Sequence, residues 1–426
     1  MPPVDPKPLR TPKAIAEAVD RAVARTPLTD LHTHLYAPTF GPLLLWGIDE
    51  LVTYHYLIAE VLRTDRSVTP ADYWAMGTAQ RADHIWRVLF VENEPISEAR
   101  RGVLTTLAKL GIAPGPSGLA EAREYFRDVT VEDHIDTVLR LSNVQSAVMT
   151  NDPFDDAERA VWLAGSDLDP RFRAAMRIDM LLNAWESATV KLRGMGYAVS
   201  PVFTRATYAE VRRFLDDWAD RMRPLYLAVS LPSDFAYPAD DARSRIIANC
   251  VLPFCRERGI PFAMMVGVKR LINPALRLAG DGVGLWDMRS LERLCAGNPE
   301  VRFLVTVLAR ENQHELCVTA RKFPNLLPFG CWWFLNDPSL ILEMTRMRVE
   351  LLGFSFVPQH SDARVLDQLI YKWEHSRELL ARVLKEKYAD LAATGWPLTE
   401  DGIRHDVRQL FSGNLEAFVS PPGPLP

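Results

Sequence analysis

Leu28-Thr29-Asp30-Leu31-His32-Thr33-His34-Leu35 places two histidines one residue apart at the end of a short apolar run. In a strand, side chains alternate between faces, so His32 and His34 point the same way. Two imidazoles on one face at the mouth of a strand are the beginning of a metal site. The plainer alternative is a pair of polar residues where a strand runs into a loop. What the rest of the chain sets beside this strand decides between them.

Just upstream, residues 12–25 carry Ile15, Val19 and Val23 at helical spacing, with Thr11 as cap and Pro12 in the first position. Downstream, about a hundred residues pass before another convincing strand, far too many for a bare loop in a compact domain. Apolar spacings of three and four predict helices near 48–64, 70–91, 96–110, 117–127 and 130–141, punctuated by Pro70, Pro95 and the Ala113-Pro114-Gly115-Pro116 turn. This reads as a helical insertion directly after the first strand, close to whatever the histidines do.

Beyond it, short apolar runs alternate with helical segments. The runs are Val144–Met149, Phe172–Ile178, Leu225–Ser230, Pro261–Gly267, Val301–Val307, Leu326–Cys331 and Leu352–Val357. Helices are expected at 156–164, 179–195, 207–222, 240–258, 288–297, 312–322, 338–350 and 362–388. Eight strand–helix units argue for an α/β fold of the parallel (β/α)8 barrel type, with the helical insertion after the first strand. A doubly wound open sheet is the rival, but no Gly-x-Gly-x-x-Gly follows any run. The expected division is 1–47 for the first helix and strand, 48–142 for the insertion, 143–419 for the remaining barrel and 420–426 for a disordered proline-rich tail.

Composition narrows the function. The 426 residues are 48% hydrophobic and 24% charged, an ordinary globular balance with room for a large core. The net charge is -5, and no basic stripe or Lys/Arg block favours nucleic acid. Met1–Arg10 lacks the apolar centre of a signal peptide, and no run is long enough to span a bilayer. Five cysteines without C-x-x-C spacing read as reduced thiols of a cytoplasmic protein.

In a barrel, functional residues sit at the C-terminal ends of strands. After the eighth run comes Pro358-Gln359-His360-Ser361-Asp362-Ala363-Arg364. Strands one and eight become neighbours when a barrel closes, so Asp362 can approach His32 and His34. Two neutral imidazoles and a carboxylate make a three-ligand site with open positions for water or substrate. Asp362 also suits a helix N-cap, and Arg364 reads equally as an anion binder or a solvated arginine of a first turn. Tyr54-His55-Tyr56 in the insertion, with Arg63 two turns on, offers acid/base groups or plain aromatic packing. The adjacent Trp332 and Trp333 cannot both face the core of a strand, so one meets a loop, a neighbour or a ligand such as a sugar ring. Arg177 with Asp179 is a further polar pair at a strand end. His84, His134, His314, His375 and His405 fall on helices and read as surface or capping residues, while His360 stays open.

These residues resemble the uronate isomerase (glucuronate isomerase) family of the amidohydrolase superfamily. The matching pieces run in the family's order over about 28–378: Asp30-Leu-His32-Thr-His34-Leu35, Tyr54-His55-Tyr56 with Arg63, and Thr150-Asn-Asp152-Pro153. After them come Arg177-Ile-Asp179, Phe329-Gly330-Cys-Trp332-Trp333-Phe334 with Asn336-Asp337, and Ser361-Asp362-Ala-Arg364. The resemblance implies one divalent metal on His32, His34 and Asp362, zinc or alternatively manganese. It implies Asp362, Tyr56 and His55 as catalytic groups, and Arg364, Arg63, Arg177, Trp332 and Trp333 about a small sugar acid in a homo-oligomeric enzyme. The implied reaction interconverts aldo- and keto-hexuronates through an enediol, with Asp362 or Tyr56 moving the proton. Two departures stand out. Ser230-Leu231-Pro232-Ser233-Asp234 follows the fourth run where the family has Asp-His, and the fifth carries Met265 where a histidine is expected. Met265 and Thr306, in place of histidines, argue against a two-metal hydrolase. A one-metal lactonase and a sugar-acid-binding barrel without turnover are the rivals.

Overall fold

The computed structural model describes residues 8–113, 115, 118–165 and 167–420. The described residues form eight strands in one sheet: β1 (Leu28–Thr33), β2 (Val144–Asn151), β3 (Phe172–Arg177), β4 (Leu227–Pro232), β5 (Phe262–Lys269), β6 (Gly282–Val283), β7 (Phe303–Val307) and β8 (Leu326–Pro328). Neighbours along β1-β2-β3-β4-β5-β7-β8 run parallel, while the short β6 folds back antiparallel on β5. Side chains alternate between two apolar environments. On β5, Ala263 and Met265 face the barrel interior with Ala228, Leu304 and Leu327. Phe262, Met264 and Val266 face outward, under the helices. Burial on both faces is why these strands read as continuous apolar runs. The interior is a packed core and not a pore.

The eighth strand is the main departure from expectation. The helix Pro338–Leu352 runs through Leu352, Gly353 turns the chain at φ +62°, and only Val357 makes a bridge, to Phe329. Pro358 has no N–H to extend a ladder. The segment nevertheless closes the barrel by backbone contacts on both sides. The Gly330 N–H donates to Val357 O at 2.9 Å, and the His34 N–H donates to Ala363 O at 2.7 Å. The following helix begins at Gln368, not at 362. The sheet is a curled TIM-type α/β barrel whose last staff is an irregular strap.

After β1 come the helices Ile48–Val52, His55–Thr64, Pro70–Ala75, Thr78–Trp86, Glu98–Lys109, Ala120–Asp128 and Val131–Ser142. A capping box at Thr69 and Asp72 starts one of them. Ile48, Leu51, Ile58, Val61, Ile85, Trp86, Leu89, Val103 and Leu107 build a core of their own. Val131–Ser142 sends Ile135, Val138 and Leu139 into a different core, shared with Ile15, Val19, Trp373 and Leu380. No described helix is long and apolar enough to cross a membrane. All five cysteines are free and buried. The expected tail, beyond Ser420, and most of Met1–Arg10 lie outside the described residues, as do Pro114 and Pro116 of the expected turn.

Two histidines expected at the surface are instead buried pins. His134 donates from Nε2 to Asp367 Oδ1 at 2.7 Å, and Asp367 Oδ2 accepts the Gly47 N–H at 2.8 Å. His375 contacts Thr105 Oγ1 at 2.9 Å and Glu98 Oε1 at 2.6 Å. Both fasten the inserted helices to the segment that carries the late acidic loop. Asp367→Ala strands the buried Gly47 N–H and the His134 ring, a loss of about 3 kcal/mol in global stability. Urea denaturation checks this; a change under about 0.5 kcal/mol, the scale of an ordinary surface substitution, would contradict it.

Candidate metal centre

β1 delivers His32, and His34 follows one residue beyond its end. The strap delivers Asp362. Its Oδ1 stands 3.3 Å from His34 Nε2 and 3.9 Å from His32 Nε2. One ligand atom from each of the three lies within 4.8 Å of the others. Asp362 adopts the left-handed region, φ +51°, and its N–H donates to His32 O at 3.1 Å. It therefore does not cap a helix: its backbone is tied to β1, and its carboxylate is turned to the imidazoles. Aspartate is among the few residues that tolerate this backbone region.

Hydrogen bonding sets the tautomer of both rings. Tyr226 Oη donates its proton to Leu31 O at 2.5 Å, so His32 Nδ1, 3.3 Å away, must donate to Tyr226. Thr150 Oγ1 donates to Thr33 O at 2.8 Å, so His34 Nδ1, 3.1 Å away, must donate to Thr150. Each Nε2 is left with a lone pair aimed at Asp362. Burial, then the neighbouring His34, pushes the His32 pKa down to about 3. Burial, then Arg364, pushes His34 well below the usual range. Both rings are neutral at neutral pH. Asp362 Oδ1 is buried and accepts no hydrogen bond. Two lone pairs and an unpartnered carboxylate oxygen repel one another unless a cation lies between them. The donor set, nitrogen and oxygen in a closed corner, fits a divalent ion.

Around this corner lies a second set of buried polar atoms without partners among the described residues: both nitrogens of His55, Tyr54 Oη, Tyr56 Oη and Trp333 Nε1. The His55 ring sits 4.5 Å from Tyr56 and 5.6 Å from Trp333. Burial, then Arg364, pushes its pKa well down, and burial, then Tyr54, pushes the Tyr56 phenol well up. Buried polar groups are normally satisfied, so these atoms are open to hydrogen bonds from water or a polar ligand. Arg364 and Arg177 both lower the His34 pKa by their charge. Arg177 is committed to Asp179 at 3.3 Å, whereas the Arg364 guanidinium has no carboxylate partner among the described residues. Arg63 is exposed in the last turn of its helix. Trp332 and Trp333 lie beyond the end of β8, both buried in the interior cluster, and Trp333 meets His55 and Phe334. Trp333 has a positive φ of 50° and opens a short 3-10 turn, with its ring 6.1 Å from that of Trp332. His360, left open by the sequence, is buried 5.5 Å from the His32 ring with neither nitrogen bonded.

Tyr226 and the role of Thr150 escaped the sequence reading. A tyrosine inside an aliphatic run was the available signal, because a buried phenol needs a partner. His134 carried one too: it shares the helical face of Val131, Ile135 and Val138.

No protein-family model matches the sequence, and no curated protein does. Among solved structures, the chain is similar to a uronate isomerase of Bacillus halodurans C-125, with 53% identity over 96% of this chain and 97% of that one, at a TM-score of 0.95. The fold also matches a uronate isomerase from Thermotoga maritima (16% identity, 95% and 97% covered, TM-score 0.78). A glucuronate isomerase from Caulobacter crescentus shares it as well (14%, 96% and 94%, 0.77). An identity of 53% along nearly the whole chain decides the kinship that the two imidazoles and the returning aspartate had pointed to, and the protein belongs to the uronate isomerase family.

Proposed function

We propose that this protein is a metal-dependent aldose–ketose isomerase of hexuronates, acting on glucuronate, galacturonate or a related sugar acid. The observation that carries the reading is the neutral His32–His34–Asp362 corner beneath unpartnered His55 and Tyr56, in a chain 53% identical to a uronate isomerase. His32, His34 and Asp362 hold one divalent cation, zinc or manganese. When bound, such an ion polarises a sugar oxygen and makes the neighbouring C–H more acidic.

The remaining work falls to side chains. Arg364, free of any carboxylate partner, takes the sugar carboxylate in a bidentate contact, with Arg177 adding positive charge beside it. Trp333 supplies an apolar wall against the ring carbons. The Asp362 carboxylate takes the proton from C2 while Tyr56, protonated because burial raises its pKa, donates to O1, with His55 as the neutral partner. The enediol closes to the ketose when the carried proton returns at C1 and the C2 hydroxyl re-protonates Tyr56.

Incubating the metal-loaded protein with glucuronate and galacturonate, and following the product by NMR, tests this. A keto-acid product is expected. Opening of an aldonolactone without isomerisation, or binding without turnover, would replace the reading. Tyr226→Phe is a narrower probe. It removes the acceptor that fixes the His32 tautomer, so metal affinity is expected to fall roughly 10- to 100-fold in a chelator competition while the fold is kept.

A further inference from the structure

We propose that Asp30 and Lys372 act together as a clamp on Ser361, and that this clamp, without touching substrate, holds the Asp362 carboxylate in place for its cation. The inference rests on the metal-centre reading above and extends it to two residues with no other assigned role.

The position of the carboxylate depends on the rotation of Asp362 about its N–Cα bond, held at φ +51°, where side-chain-bearing residues seldom settle. The peptide joining Ser361 to Asp362 is pinned at both polar ends. Its carbonyl accepts a bond from Lys372 Nζ at 2.5 Å, and its N–H donates to His32 O at 3.1 Å. The preceding peptide is held as well, with the Ser361 N–H donating to Asp30 Oδ1 at 3.0 Å. The other Asp30 oxygen accepts the Trp373 Nε1–H at 2.8 Å, and Ser361 Oγ accepts the Ala363 N–H at 3.1 Å.

The origins of the grips matter. Asp30 lies two residues before His32 on β1, so the strand that presents the imidazoles also anchors the loop that presents the carboxylate. Lys372 comes from the helix Gln368–Ala393, behind the strap. Asp30 is fully buried and Lys372 is 4% exposed. The carboxyl and amino groups grip the two ends of one residue of backbone instead of each other. Neutral groups could satisfy the same hydrogen bonds with less desolvation. Two buried ionisable side chains gripping one residue of backbone are explained by a need to hold the peptide stiffly against the pull of a cation.

Zinc affinity by chelator competition and the absorption spectrum of the cobalt-substituted protein test the clamp in the full chain. The variants are Lys372→Met, Lys372→Arg, Asp30→Asn and the double Asp30→Asn/Lys372→Met. Lys372→Met strands the buried Ser361 carbonyl and so lowers the metal-free melting temperature, and it is expected in addition to weaken zinc binding roughly 10- to 100-fold and to shift the cobalt bands. Lys372→Arg restores most of the affinity. The double variant is no weaker than the worse single one, because both grips act through one residue. Native-like zinc affinity and cobalt bands in Lys372→Met overturn the clamp and leave the metal centre standing, and fully additive losses overturn joint action. Absence of stoichiometric metal in the native protein overturns the metal-centre reading and the clamp with it. Should Lys372→Met fail to fold, the near-isosteric Asp30→Asn decides alone by the same affinity and spectral criteria.

Discussion

Replacing His34 with alanine is expected to empty the metal centre and to lower hexuronate turnover by about a thousandfold or more. A bound cation supplies several kcal/mol of charge stabilisation in a carbonyl reaction, and about 4 kcal/mol corresponds to roughly a thousandfold in rate. His34 Nε2 is the nitrogen nearest the Asp362 oxygen, at 3.3 Å, and its tautomer is set by Thr150. Without it, one imidazole and one carboxylate remain, too few to close a tight site. The fold is expected to survive, because His34 lies beyond the end of β1 and its side chain is 17% exposed. Metal content per chain and kcat/KM, measured together, check the expectation. A full metal load in the His34→Ala protein would mean that the ion, if any, sits elsewhere, and the chemistry assigned to this corner would fall with it.

Gly330→Ala is expected to cost about 2–5 kcal/mol of folding stability, from two sources that act at one atom. Gly330 has φ +65°, a region where a Cβ meets its own backbone. That Cβ would also stand 1.8 Å from His360 Nδ1, closer than atoms can approach. The ring has nowhere to go. It is fully buried, 5.4 Å from the Phe329 ring and 5.5 Å from the His32 ring. Any displacement therefore presses on the His32 ring, and a weaker metal affinity is expected alongside the lower melting temperature. Thermal unfolding with and without zinc measures both. A variant that melts with the native protein would show that the strap relaxes more freely than its packing implies.

Much of this protein was legible from residue order alone, because the relevant physics is local. Seven of the eight barrel runs announce themselves by apolar continuity, which strands buried on both faces require. The His-x-His spacing and the helical periodicity of the long segment after β1 are local in the same way. The eighth run misled because its composition is strand-like while its geometry is set from outside. Pro358 interrupts the ladder, and the strap takes its shape from bonds to β1 and β8. Burial of residues such as Tyr226 left a local signal, but the identity of a partner far away in the chain did not. Tyr226 is 194 positions from His32, and Thr150 is 116 from His34. The partners of His134 and His375, Asp367 and Glu98, are fixed only once their helices dock. Side-chain type and spacing thus determined the barrel and the histidine pair at the end of its first strand. Tertiary packing alone decided the tautomers, the left-handed turn at Asp362 and which arginine stays free, since each depends on hydrogen bonds and charges that meet only when the barrel closes.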